Sequence, residues 1–235
     1  MALCDILINS LPKYTCTIPS TGESVWFRPL LVKEEKTLLQ MSEFGNYKEK
    51  TKSISNILKS CFDYDNFEKL SIVDVQYLFI QLRIKSIGSS VSLFFICPET
   101  NERIKIKIQL DDIEVINNPI HTNLIELKNV KIKMKYPNIS SIMEHNTEAS
   151  DNNEDLYKLA LSCISEIHTP EETIDCSLQS KEELESFLDN MTKDQFDKII
   201  LFFETMPKIE KTVEYMTSDG ISRTLVLRGI SDFFV

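Results

Sequence analysis

Between Ser71 and Leu110 the spacing of apolar residues changes from a helical period to a strand period. Any fold for this chain must accommodate both. Val75, Leu78, Phe79 and Leu82 recur on one face of a helix. Ser71 opens that helix, with Asp74 three residues on as a short capping box. From Val91 the period is two. Val91, Leu93, Phe95 and Cys97 alternate with Ser92, Phe94 and Ile96, so both faces are largely apolar. After Pro98-Glu99-Thr100-Asn101, residues Ile104, Ile106, Ile108 and Leu110 alternate with Lys105, Lys107 and Gln109, the pattern of a strand buried on one face.

Similar segments occupy the rest of the chain. Residues 14–19 and 24–29 are β-prone and flank the turn signal Ser20-Thr21-Gly22-Glu23, which predicts a hairpin. Helices are expected from about Lys33 to Phe44 and from about Lys48 to Cys61, where Ile54, Ile57, Leu58 and Cys61 share a face. Lys131, Lys133 and Lys135 alternate with Ile132 and Met134 as a strand. Leu156 to Ile167 reads as a short helix that Pro170 ends. Ser180 with Glu183, and Thr192 with Gln195, are capping boxes for two further helices. A final hairpin is expected over 211–216 and 221–228, around Ser218-Asp219-Gly220. The fold class is α+β: β-hairpins and a short antiparallel sheet combined with a helical bundle, in two subdomains.

Charge divides the chain. Residues 137–190 carry 13 acidic and 2 basic residues, a net of −11, whereas the whole chain of 235 residues has a net charge of −10. Within that block, residues 145–153 hold one small apolar side chain and read as a linker. The expected division is therefore an N-terminal α+β domain at 1–136, an acidic linker at 137–154, and a helical C-terminal domain at 155–235 that ends in a hairpin.

Several function classes are disfavoured. An acidic chain is a poor binder of phosphate backbones. The lysines at 105, 107, 131, 133 and 135 read as solvated strand faces that resist edge pairing, with no aromatic side chains interleaved for stacking. No apolar run reaches the ~18–20 residues of a membrane span, and the start lacks a basic leader. Five glycines in the chain argue against glycine-rich nucleotide-binding loops. No Gly-x-Gly-x-x-Gly, P-loop, Gly-x-Ser-x-Gly or His-Glu-x-x-His motif occurs. His121, His145 and His168 are far apart in sequence, and the six cysteines include no Cys-x-x-Cys pair. The expectation is a soluble, intracellular non-enzyme without cofactor, metal, membrane, nucleic acid or small-molecule substrate.

Seven strings carry a resemblance. They are Ile18-Pro19-Ser20-Thr21-Gly22, Phe27-Arg28-Pro29, Leu31 to Lys36, Leu82 to Gly88, Leu110 to Ile113, Lys133 to Pro137, and Phe202 to Lys208, with Asp232-Phe233-Phe234 at the end. In this order the chain resembles the baseplate hub subunit family of T-even-like contractile-tailed phages. The resemblance implies a virion-assembly role in the central hub, near the tape-measure protein, without catalysis. Its partners would be hub proteins and the tape-measure protein, met in the host cytoplasm during assembly or in the virion tail. A subunit that stays in the particle and a chaperone that leaves it are both compatible. A degenerate zinc-ribbon module is a third alternative.

The resemblance also implies Cys-Pro-x-Cys-Gly-like knuckles on the two hairpins. This chain departs from that pattern. It has Cys97-Pro98-Glu99-Thr100, with one cysteine, and Met216-Thr217-Ser218-Asp219-Gly220, with none. No zinc is expected, and the turns are expected to be held by packing and turn hydrogen bonds. The candidate interaction residues are Ile230, Phe233 and Phe234. An aromatic pair this near a terminus needs a partner surface. That surface is either the chain's own last helix, through Phe196 or Phe203, or a neighbouring hub protein.

Overall fold

The computed structural model describes residues 7, 10–43, 47–141 and 153–233. In chain order the elements are β1 (Tyr14–Thr17), β2 (Ser24–Phe27), α1 (Val32–Glu43), α2 (Tyr47–Cys61), α3 (Ile72–Ser86), β3 (Ser90–Ile96), β4 (Arg103–Gln109) and β5 (Val115–Ile116). They continue as β6 (Leu124–Glu126), β7 (Lys131–Met134), α4 (Asn153–Cys163), β8 (Ile164–His168), β9 (Thr173–Asp175), α5 (Lys181–Asp189), α6 (Lys193–Thr205), β10 (Lys208–Met216), β11 (Ser222–Arg228) and α7 (Gly229–Phe233). The chain forms two compact units: residues 1–116 together with 208–235, and residues 117–207. The class is α+β, as the change of period predicts.

In the first unit β1 and β2 form the expected hairpin. Its turn closes with Gly22 donating to the Ile18 carbonyl at 2.9 Å. Gly22 has φ +72°, a backbone region that side chains disfavour. The turn is tied down by Asp74, which is fully buried. Its carboxylate accepts from the Ser20 N–H (2.9 Å) and hydroxyl (2.7 Å), and from the Ser71 N–H (3.1 Å) and hydroxyl (2.6 Å). The same aspartate completes the capping box of α3. A second polar knot lies at Arg28. Its guanidinium donates to Glu34 (2.9 Å), the Pro29 carbonyl (2.9 Å) and the Ser60 carbonyl (2.9 Å), joining the end of β2 to α1 and α2. Burial raises the Glu34 carboxyl, but hydrogen bonds from Arg28 and the Leu31 N–H outweigh it and hold it below the ordinary range.

Helix α3 is apolar on more than one side. Val73 and Ile80 join a core with Leu93, Ile106, Ile108, Leu110, Ile209, Tyr215 and Leu227, while Val75, Leu78, Phe79 and Leu82 are buried outside it. That is why α3 is in contact with α2 and β1 as well as with β10 and α7. β3 pairs with β4 in register, and β10 lies between β11 and β5.

The second unit is a four-stranded antiparallel sheet, β6-β7-β8-β9, with α4, α5 and α6. Its core joins Ile125, Ile132 and Met134 of the sheet to Leu161, Leu188, Ile199 and Phe202 of the helices. Both expected capping boxes form, at Ser180 and Thr192. Within the unit His121 bridges Thr205 and Tyr136, at 3.0 Å to each. The Thr205 hydroxyl donates to the Leu201 carbonyl at 2.6 Å, so it accepts from His121. His121 therefore carries its proton on Nδ1, and Tyr136 donates to Nε2.

Two expectations differ from this architecture. The helix expected over 156–167 ends at Cys163, and Ile164–His168 is a strand. Ile167 pairs with Ile132, Ile164 with Met134, and Glu166 with Lys133, across a bulge. Sheet pairing thus overrides a local helical reading of this run. The division of the chain differs too. β7, placed at the end of the first domain, pairs with β8 of the second, and the final hairpin completes the first unit through Ile209 opposite Val115. The core of the proposed linker, 145–153, lies outside the described residues, apart from the backbone of Asn153 at the start of α4.

Asp74→Ala removes the reciprocal half of the α3 capping box and leaves two serines without their shared acceptor. Urea unfolding is expected to show a loss of about 3 kcal/mol, and a change within error of zero would remove Asp74 from its tying role.

Candidate functional site: two hairpin tips joined by charge

The tips of the β3–β4 and β10–β11 hairpins are built alike. In the first, Cys97 N–H donates to the Glu102 carbonyl (2.8 Å) and Asn101 N–H to the Cys97 carbonyl (2.9 Å). In the second, Thr217 N–H donates to the Ile221 carbonyl (3.3 Å) and Gly220 N–H to the Thr217 carbonyl (2.9 Å). Each turn closes with a residue at positive φ, Asn101 at +59° and Gly220 at +78°. Behind the tips, Phe95 and Tyr215 meet edge to face at 4.9 Å, so the inner faces of the two hairpins share one core.

The tips themselves are joined by polar contacts. Glu102 accepts from the Ser218 N–H at 3.1 Å and from the Ser218 hydroxyl. Arg223, with its side chain only 16% exposed, donates to both oxygens of Asp219 at 3.0 and 2.7 Å and to the Thr217 hydroxyl. Its Nε lies 3.7 Å from Glu99 of the other hairpin. Thr217 in turn donates to Asp219 at 2.5 Å. The Cys97 thiol, fully buried, donates to Glu99 at 3.1 Å and accepts from the Tyr215 hydroxyl at 3.5 Å.

Charge follows this geometry. Arg223, then Thr217 and the Ile221 N–H, hold the Asp219 carboxyl far below the usual carboxylate range. The Tyr215 hydroxyl is pushed up to about 12, first by its hydrogen bond to Cys97 and then by burial. Burial raises the Cys97 thiol, but the polar groups of Thr100 and Tyr215 that face it bring it below its ordinary value.

These residues do not fit zinc. A structural site needs four nitrogen or sulfur donors, and here one thiol stands beside a guanidinium that already supplies positive charge. Among the described residues no three His, Cys, Asp or Glu side chains are grouped to hold a metal ion. Packing and turn hydrogen bonds alone do not describe the tips: the cross-hairpin bonds of Glu102 and the Arg223 ion pairs join them. Arg223, Glu99, Glu102 and Asp219 were not singled out in the sequence. Their only signal is that charged residues flank both degenerate knuckles.

Phe233 is fully buried. It packs with the core of the first unit, alongside Val73, Ile80 and Leu227, and not with Phe196 or Phe203, which border the core of the second unit. Phe234 and the side chain of Ile230 lie outside the described residues.

The outer face of β3–β4 carries the aromatic side chain that the lysine pattern concealed. Phe94 lies opposite Lys105, and its ring sits 4.9 Å from the Arg103 guanidinium and 5.4 Å from the Lys105 ammonium.

A family model described as T4 bacteriophage base plate protein matches residues 11–235. The chain belongs to that family, which implies a structural or assembly role in the baseplate among other baseplate proteins. No curated protein and no solved structure gives a match. No helix among the described residues is long and apolar enough to cross a membrane.

Two substitutions check this reading. Arg223→Met is expected to speed amide hydrogen exchange several-fold at 97–102 and 217–221 while leaving α3 protected. Unchanged exchange at both tips would show that Arg223 does not join them. Phe233→Ala is expected to cost about 3–5 kcal/mol in urea unfolding; a cost near zero would place Phe233 outside the core.

Proposed function

We propose that this protein is a non-enzymatic structural subunit of the central hub of the phage baseplate, retained in the mature virion. The observation that carries the reading is the family match over residues 11–235, which takes in both compact units and the joined hairpin tips. The tips support it, because their polar groups are spent on one another and leave a rigid end rather than a reactive one. Partly exposed large apolar residues such as Phe94, Ile96, Ile120 and Leu178 suit a chain that meets other proteins. Its partners are other hub proteins and the tape-measure protein, met in the host cytoplasm. Quantitative mass spectrometry of purified virions is expected to find the chain at a fixed copy number. Absence from mature particles, with presence in assembly intermediates, would overturn retention and favour a chaperone that holds a hub or tape-measure protein and leaves.

A further inference from the structure

The outer face of the β3–β4 hairpin combines two properties rarely left to water together. Phe94 is 49% and Ile96 62% exposed. On the paired strand, Arg103 lies opposite Ile96, Lys105 opposite Phe94 and Lys107 opposite Ser92. All three cations are exposed, and none forms an ion pair among the described residues. Lys131 and Lys133 of the other unit, by contrast, are paired with Glu126 and Glu166. The face is thus a small apolar strip with an uncompensated positive border.

The chain carries the complement of this face. In the second unit Glu171, Glu172 and Glu182 are exposed and form no ion pair among the described residues. Leu178 lies between them in sequence and is 81% exposed. Other carboxylates of this stretch are occupied: Asp175 and Glu183 cap turns at Ser177 and Ser180, and Glu185 pairs with Lys181. These three offer free negative charge in the same chain segment as an exposed apolar side chain.

We propose that the basic, apolar face of β3–β4 in one copy docks on the acidic segment 171–182, which carries Leu178, of a second copy. The contact uses two different surfaces, so it is heterologous: each copy offers a free face to the next, and assembly runs to a ring or a chain. Opposite charges select the partner and set its salt dependence, while Phe94, Ile96 and Leu178 supply the apolar contact. The proposal rests on the structural reading above only in assuming that the chain assembles, and the two are tested separately, in solution and in virions.

Sedimentation velocity of the full chain at low salt (about 0.05 M) is expected to show species larger than a monomer that dissociate at about 0.5 M. Lys105→Glu with Lys107→Glu should weaken association about tenfold or more, and Glu171→Lys with Glu172→Lys and Glu182→Lys should do the same. All five positions are exposed, and circular dichroism checks that each variant stays folded. Mixing the two variants is the deciding measurement. The native face of one variant meets the native face of the other, and their reversed faces again carry opposite charges, so association lost in each variant alone should return in the mixture. A monomeric wild-type chain at low salt, association untouched by either set of changes, or a mixture that stays monomeric would each overturn the proposal. Tighter binding of a single-stranded oligonucleotide than of a second copy, lost in the Lys105 and Lys107 variant, would assign the face to nucleic acid and overturn it as well.

Discussion

A single buried carboxylate holds the first unit in register. Asp74 accepts four hydrogen bonds, two from the turn after β1 and two from the residue that caps α3. A charge in the interior is tolerated only when such donors surround it. The helix it starts is the element against which both β10 and α7 pack. Fixing the first turn of α3 therefore fixes where Val73 and Ile80 enter the core, and through them the place of the final hairpin.

At the hairpin tips the same problem, holding two loops together, is solved with a different charge. A metal gathers anionic thiolates around a dication. Arg223 gathers Asp219, Thr217 and Glu99 around a planar monocation with fixed donor directions. Glu102 adds a contact that needs no cation. The outcome is a joint drawn together mainly by a guanidinium and carboxylates, with the Cys97 thiol as one further hydrogen-bonding partner across the hairpins.

Much of the fold was legible because its determinants are local. The three capping boxes at Ser71, Ser180 and Thr192 are written within four residues each, and all three form. The hairpins at 14–27, 90–109 and 208–228 follow from period and turn residues. What was not legible is long-range. Nothing local says that Val115 and Ile116 await Ile209 and Lys208, or that Ile164 leaves a helix to meet Met134. The joined tips were hidden for the same reason: Glu102 and Ser218 are 116 residues apart. Phe94 was visible as an apolar residue, but its place between two cations appears only once the register of β3 and β4 is known.

The second unit is inserted into the first, since the chain leaves the first after Ile116 and returns at Lys208. This has a consequence for synthesis. On the ribosome, residues 117–207 emerge with all their own strands and can fold while translation continues. The first unit cannot close until Ile209, Tyr215, Leu227 and Phe233 arrive, since they complete its core. A chain cut short in its last segment would therefore display a finished second unit beside an open apolar core. Host proteases recognise such exposed surface, so incomplete copies would be cleared before they reach a growing particle.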